Sequence, residues 1–143
     1  MKNITSRNFS ILCDFMDVYQ FMIDIYEKDW RNGVPAPFLE YALVSDWMDK
    51  SKVHRFKIWE DSGVMVGLVF YENPINDVYF SLRPGYEELA EEMVAYAVSS
   101  MPRVDGKLRL VIFGAQTAIT EEAKKAGFQK TFEYMEKVFD FEQ

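Results

Sequence analysis

The chain has 143 residues, 49% hydrophobic and 27% charged, a length suited to one domain and a composition that excludes a disordered or low-complexity protein. Sixteen basic residues against 23 acidic ones leave a net charge of −7, and with no basic stripe to offset it this argues against a nucleic-acid partner. The single cysteine, Cys13, excludes an internal disulfide and a cysteine-rich zinc site, and it fits a reducing compartment.

A short strand is a possible first element. From Ile11 to Glu27, apolar residues at Ile11, Phe15, Val18, Met22 and Ile25 have the three-and-four spacing of one buried helix face. Ser10 is placed to cap that helix through its hydroxyl, and Cys13 is assigned to packing beside the buried positions. Asn32-Gly33 and Pro35-Ala36-Pro37 break the chain, and Phe38 to Asp49 reads as a second helical region. The period then changes. Phe56 to Glu60 alternates, Asp61-Ser62-Gly63 turns, and Val64 to Tyr71 is almost continuously apolar, which predicts a hairpin whose second strand is buried on both faces. Asp77 to Arg83 is a third strand. A helix follows from about Tyr86, with Leu89, Met93, Tyr96 and Ala97 as its apolar stripe. Leu108 to Phe113 reads as a buried strand and Thr117 to Ala126 as a helix with Lys124 and Lys125 in its last turn and Gly127 beyond it. Tyr134 to Phe141 closes as an alternating strand. This order implies one α/β (α+β) domain over residues 1–143, a mixed sheet with helices on both faces.

No apolar run of signal-peptide type opens the sequence, and none nears the ~18 residues of a membrane span. A cytoplasmic protein with no membrane partner is therefore expected.

Three segments point further. They are the hairpin with Trp59-Glu60-Asp61-Ser62-Gly63-Val64-Met65-Val66-Gly67, the strand and turn Tyr79-Phe80-Ser81-Leu82-Arg83-Pro84-Gly85-Tyr86, and Ala123-Lys124-Lys125-Ala126-Gly127-Phe128. In order and spacing they resemble the GNAT acyltransferase superfamily over nearly the whole chain. More narrowly, Val34-Pro35-Ala36-Pro37 before a Tyr41-Ala42 helix, with the glutamate-rich helix, resembles the N-terminal half of two-domain GNAT proteins. The resemblance implies a mostly antiparallel sheet, acetyl-CoA as cofactor, and cofactor contacts at Ser81, Leu82, Arg83 and Tyr86. It also implies a second GNAT domain or a homo-oligomer as partner.

In an active member, a basic residue and glycines follow the Pro-x-Tyr, leaving bare amides aimed at the coenzyme A pyrophosphate. Here the positions read Glu87-Glu88-Leu89-Ala90-Glu91-Glu92. A carboxylate ~4 Å from a phosphate charge costs about 1 kcal/mol in water and about 4 at an effective dielectric of 20, against at most ~2 kcal/mol from a helix terminus. The same glutamates also read as ordinary acids stabilising a helix start. The family's proton-donating tyrosine on the last helix falls at Ala123, which cannot donate, and Gln116 stands where the family often has asparagine.

Other side chains compete for a role. Asp77 lies near a family general-base position and also reads as a turn residue; Tyr134 is a candidate substitute acid, with Tyr79 and Tyr86 as others. Arg83 is either an anion contact or a salt-bridge partner of the glutamates. His54 reads as a surface residue without metal or triad partners. The supply of aromatics, including Trp30, Trp47 and Trp59, exceeds the needs of a small core and predicts an exposed contact patch. Three functions remain open: a GNAT-like domain without its own acetyl-CoA site that supports a catalytic GNAT domain, an active acetyltransferase with an atypical cofactor site, and a stand-alone small-ligand-binding module.

Overall fold

In the computed structural model, which describes residues 2–72 and 74–129, the chain runs β1 (Ile4–Asn8), α1 (Ile11–Ile25), α2 (Ala36–Val44), β2 (Lys57–Asp61), β3 (Val64–Tyr71), β4 (Asp77–Leu82), α3 (Ala90–Ser100), β5 (Arg109–Val111) and α4 (Thr117–Lys125). The five strands form one sheet in the order β1-β2-β3-β4-β5. Neighbours are antiparallel except β4 and β5, which run parallel. The expected closing strand, Tyr134 to Phe141, lies outside the described residues.

Local chemistry explains the joints. Ser62 and Gly63, both at positive φ, make the two-residue hairpin between β2 and β3, as right-handed strand twist prefers. All of β3 but Val64 is buried. At the end of α4, Phe128 N–H donates to Ala123 O and Gly127 N–H to Lys124 O, with Gly127 at φ 97°, so the predicted glycine stop is a Schellman cap.

Helices cover both faces. A Cβ on Gly67 would meet Met93 of α3 at 3.4 Å, whereas Arg83, on the opposite face, stacks its guanidinium over Phe21 of α1. The core between the layers is aromatic: Phe56 meets Phe70 and Tyr71 edge-on, and Trp59 meets Tyr96.

Several expectations shift. Ser10 makes no side-chain cap bond; instead Asp14 reaches back, accepting from Ser10 N–H at 2.7 Å and from Arg7 at 2.9 Å. The inward face of α1 comprises Asp14, Val18, Phe21, Met22 and Ile25, so Ile11 stays exposed and Cys13 is exposed rather than packed. The second helix ends at Val44 rather than Asp49. A 3-10 turn, Glu87–Leu89, precedes α3. Strand β5 is three residues long and only half-buried. No helix among the described residues is long and apolar enough to cross a membrane.

Candidate functional site

The site builds around the end of β4. Arg83 N–H donates to Val66 O, which continues the ladder with β3 and turns the Leu82 amide to the opposite edge. On that edge, β5 pairs only with Asp77, Val78 and Tyr79. Among the described residues no strand pairs with this edge beyond Tyr79, and its backbone groups there find other bonds.

Three groups of the chain supply them. Gln116, at the N-cap of α4, donates its Nε2 to Phe80 O at 2.9 Å and accepts from Phe113 N–H at 3.0 Å. Asn32 O, in the loop after α1, accepts from Leu82 N–H at 2.9 Å. Glu87 then accepts from Gly85 N–H at 3.2 Å, so a carboxylate of the chain sits at the bare amide of the turn.

The loop that reaches Leu82 is held closely. Asn32 is buried and donates its Nδ2 to Ile25 O at 2.7 Å. Trp30, at φ 58°, packs edge-on against Phe38 and Phe113. Gly33 sits at φ 130°, where a Cβ would lie 2.4 Å from Ser81 Oγ and 3.0 Å from Ser81 Cα. Only glycine allows this approach. Ser81 is fully buried, and beneath that loop its Oγ has no hydrogen-bond partner among the described residues.

What remains open is a cleft of about 290 Å³ whose walls include Asn32, Leu82, Glu87, Gln116, Thr117 and Ile119. Arg31, the one cationic wall residue among those described, is already engaged by Asp29 at 2.9 Å, a pairing that holds the Asp29 carboxyl below its ordinary range. With Glu87 beside it the cleft is acidic on balance, the wrong sign for a diphosphate.

Glu88 and Glu92 are engaged too. Lys2 bonds Glu88 at 2.7 Å and Gly85 O at 2.5 Å, with its ammonium 4.3 Å from the Tyr86 ring centre. Tyr86 donates to Asp61 at 2.6 Å, which pushes the phenol pKa up and the carboxyl pKa down. Glu92 accepts from the Trp59 indole at 2.8 Å.

The sequence candidates are therefore dispersed. Ser81 and Leu82 lie under the Asn32–Gly33 loop. Arg83 does not reach the glutamates; its guanidinium donates to Met65 O at 3.0 and 3.1 Å, closing the hairpin against β4. Asp77 forms a two-pronged pair with Arg109 at 2.5 and 3.0 Å, opposite it in the parallel register. Tyr79 stacks on Phe70, and Ala123 is buried on α4. His54 is exposed in a 3-10 turn. Tyr134 lies outside the described residues. No metal-holding cluster occurs among the described residues. Sequence reasoning missed Trp30, Asn32 and Gly33: Asn-Gly reads as a turn, and nothing local says that the turn bonds a strand 50 residues away. No family model matches the chain, and no curated protein or solved structure does so either.

Proposed function

We propose that this chain is a GNAT-like domain that has lost its own acetyl-CoA site and works through association, supporting a catalytic GNAT domain or subunit. The element order, the hairpin, and the β4 end followed by an acidic turn are those that the sequence resemblance implies, and they support this reading. One observation carries it. The β4 edge from Phe80 to Leu82 and the Gly85 amide, where a cofactor would need free backbone groups, are bonded to Gln116, Asn32 and Glu87 of the same chain.

Displacing the Gln116 and Asn32 bonds would leave buried groups unpaired, at about 1–3 kcal/mol each, before any cost of bringing a diphosphate to Glu87 at the exposed Gly85 amide. Acid catalysis lacks its donor at Ala123, and the nearby hydroxyls of Tyr86 and Ser81 are, respectively, committed to Asp61 and sealed under Gly33.

Thermal unfolding with acetyl-CoA tests the reading. A ligand at 100 times its dissociation constant stabilises by ~2.7 kcal/mol, worth several degrees in a domain of this size. The expected result is no shift at millimolar acetyl-CoA. A saturable rise of several degrees would overturn it.

A further inference from the structure

In the loop between α1 and α2, sequence and fold pull against each other. Asn32 is the only asparagine of the chain that precedes a glycine. In that pair the side-chain amide is most open to attack by the next backbone nitrogen, because glycine has no Cβ to obstruct the approach, and asparagine is thermolabile. The folded loop engages both reacting groups elsewhere. Asn32 donates its Nδ2 to Ile25 O at 2.7 Å, and Gly33 N–H donates to Trp30 O at 3.1 Å. Asn32 is 7% exposed, and Trp30 and Val34 on either side of the pair are buried. Gly33 has no room to swing toward the side chain, since its α-carbon presses on Ser81.

We propose that Asn32 is a covalent modification site gated by opening of this loop, and that the modified loop no longer closes on β4. Once the loop opens, the Gly33 nitrogen attacks Asn32 Cγ. A C–N bond forms, the Cγ–Nδ2 bond breaks, and the side-chain nitrogen leaves as ammonia with the proton given up by the Gly33 amide. Water then adds to either carbonyl of the cyclic imide and yields aspartate or isoaspartate. Water is the one co-reactant, and no oxidant or reductant enters.

Neither product fits the closed loop. An ionised aspartate only accepts, so Ile25 O loses its donor and a carboxylate is buried against a carbonyl, an expensive arrangement. The cleft wall there already carries Asp29 and Glu87, and Arg31 is taken by Asp29. Isoaspartate reroutes the main chain through the side chain and so displaces the Asn32 carbonyl, which accepts from Leu82 N–H at 2.9 Å. Either way the Leu82 amide loses its cover, and the β4 edge opens there. With ammonia lost to solvent, the change runs one way. This inference rests on the loop alone and stands apart from the GNAT-like reading.

Incubating the full chain in mildly alkaline buffer, with and without denaturing guanidinium at the same pH and temperature, tests the gate. Peptide mapping of segment 28–40 reads the mass gain of amide to acid at Asn32. The expected rate in the folded chain is at least ~10-fold below that in the unfolded one, because only the open fraction reacts. Hydrogen exchange tests the consequence. Leu82 in the modified chain and in Asn32→Asp is expected to exchange at least ~10-fold faster than in the wild type, with β2 and β3 amides unchanged. Equal modification rates in the two conditions overturn the proposal. So does a modified chain whose Leu82 amide stays as protected as before. The rate comparison uses the wild-type chain and decides the gate even where Asn32→Asp fails to fold.

Discussion

Asp14 shows how one side chain sets the entry to a helix. Its carboxylate is buried, and burial alone would raise its pKa. Bonds from the Arg7 guanidinium and the Ser10 amide outweigh that and hold the pKa below the ordinary carboxylate value. Arg7 is shared with Glu60 at 3.2 Å, so the first turn of α1 is tied to β1 and β2 together. Replacing Asp14 with alanine leaves the Ser10 amide and Arg7 without this acceptor. Arg7 is 43% exposed and recovers water, so the expected loss is about 2 kcal/mol, below the ~3–5 for breaking a fully buried pair. A depressed carboxyl stabilises fully above its unfolded pKa and loses that contribution as pH falls through the folded value. Urea denaturation should thus show the full difference at pH 7 and a shrinking one below about pH 4. An unchanged difference at pH 2 would mean that packing, not charge, holds the turn.

At the scale of elements, the end of β4 decides the character of the site. Strands β2, β3 and β4 are legible because hydrophobic alternation and the Ser62-Gly63 turn are local signals. The closing of the β4 edge is not legible, since it depends on Asn32 and Gln116 meeting a strand far away in the chain. Helix α1 was half legible for a different reason. With apolar residues on both its faces, periodicity does not say which face meets the sheet, so the spacing places Ile11 in the core and omits Phe21. The glutamates after Pro84 were readable as acids at a helix start, but their partners, Lys2, the Gly85 amide and Trp59, are tertiary. Gln116 offers the measurement. Gln116→Ala removes the side-chain bonds to Phe80 O and Phe113 N–H at a buried position, and each lost buried bond costs about 1–3 kcal/mol. The expected destabilisation is about 2–4 kcal/mol, with faster amide exchange at Phe113 and in the first turn of α4. Leu82, held separately by Asn32, keeps its protection. If Leu82 loosens equally, the edge opens as a single unit.

The whole molecule answers to pH through opposing groups. Asp14, Asp49 and Asp61 all have carboxyl pKa values below the ordinary one, so acidification removes their stabilisation. Glu72, at the end of β3, works the other way. Burial pushes its pKa up to about 7, and its Oε2 has no hydrogen-bond partner among the described residues. A raised carboxyl means that the folded state holds the proton more tightly than the unfolded chain, whose glutamates titrate near 4.3. Folding is then favoured at low pH by this group, and stability falls as pH rises from about 4.3 to about 7. The shift corresponds to a loss on the order of 3 kcal/mol. The ledger of these groups places maximal stability near pH 5, close to the sequence pI of 4.8, where self-repulsion of the acidic chain is also least. Glu72→Gln keeps the shape and removes the titration. Chemical denaturation should show the variant more stable than wild type at pH 8, by about 2–3 kcal/mol, and equal to it near pH 4. A difference that stays constant between those values would mean that Glu72 finds a cation or a donor once ionised, and the falling limb would then belong to the net charge alone.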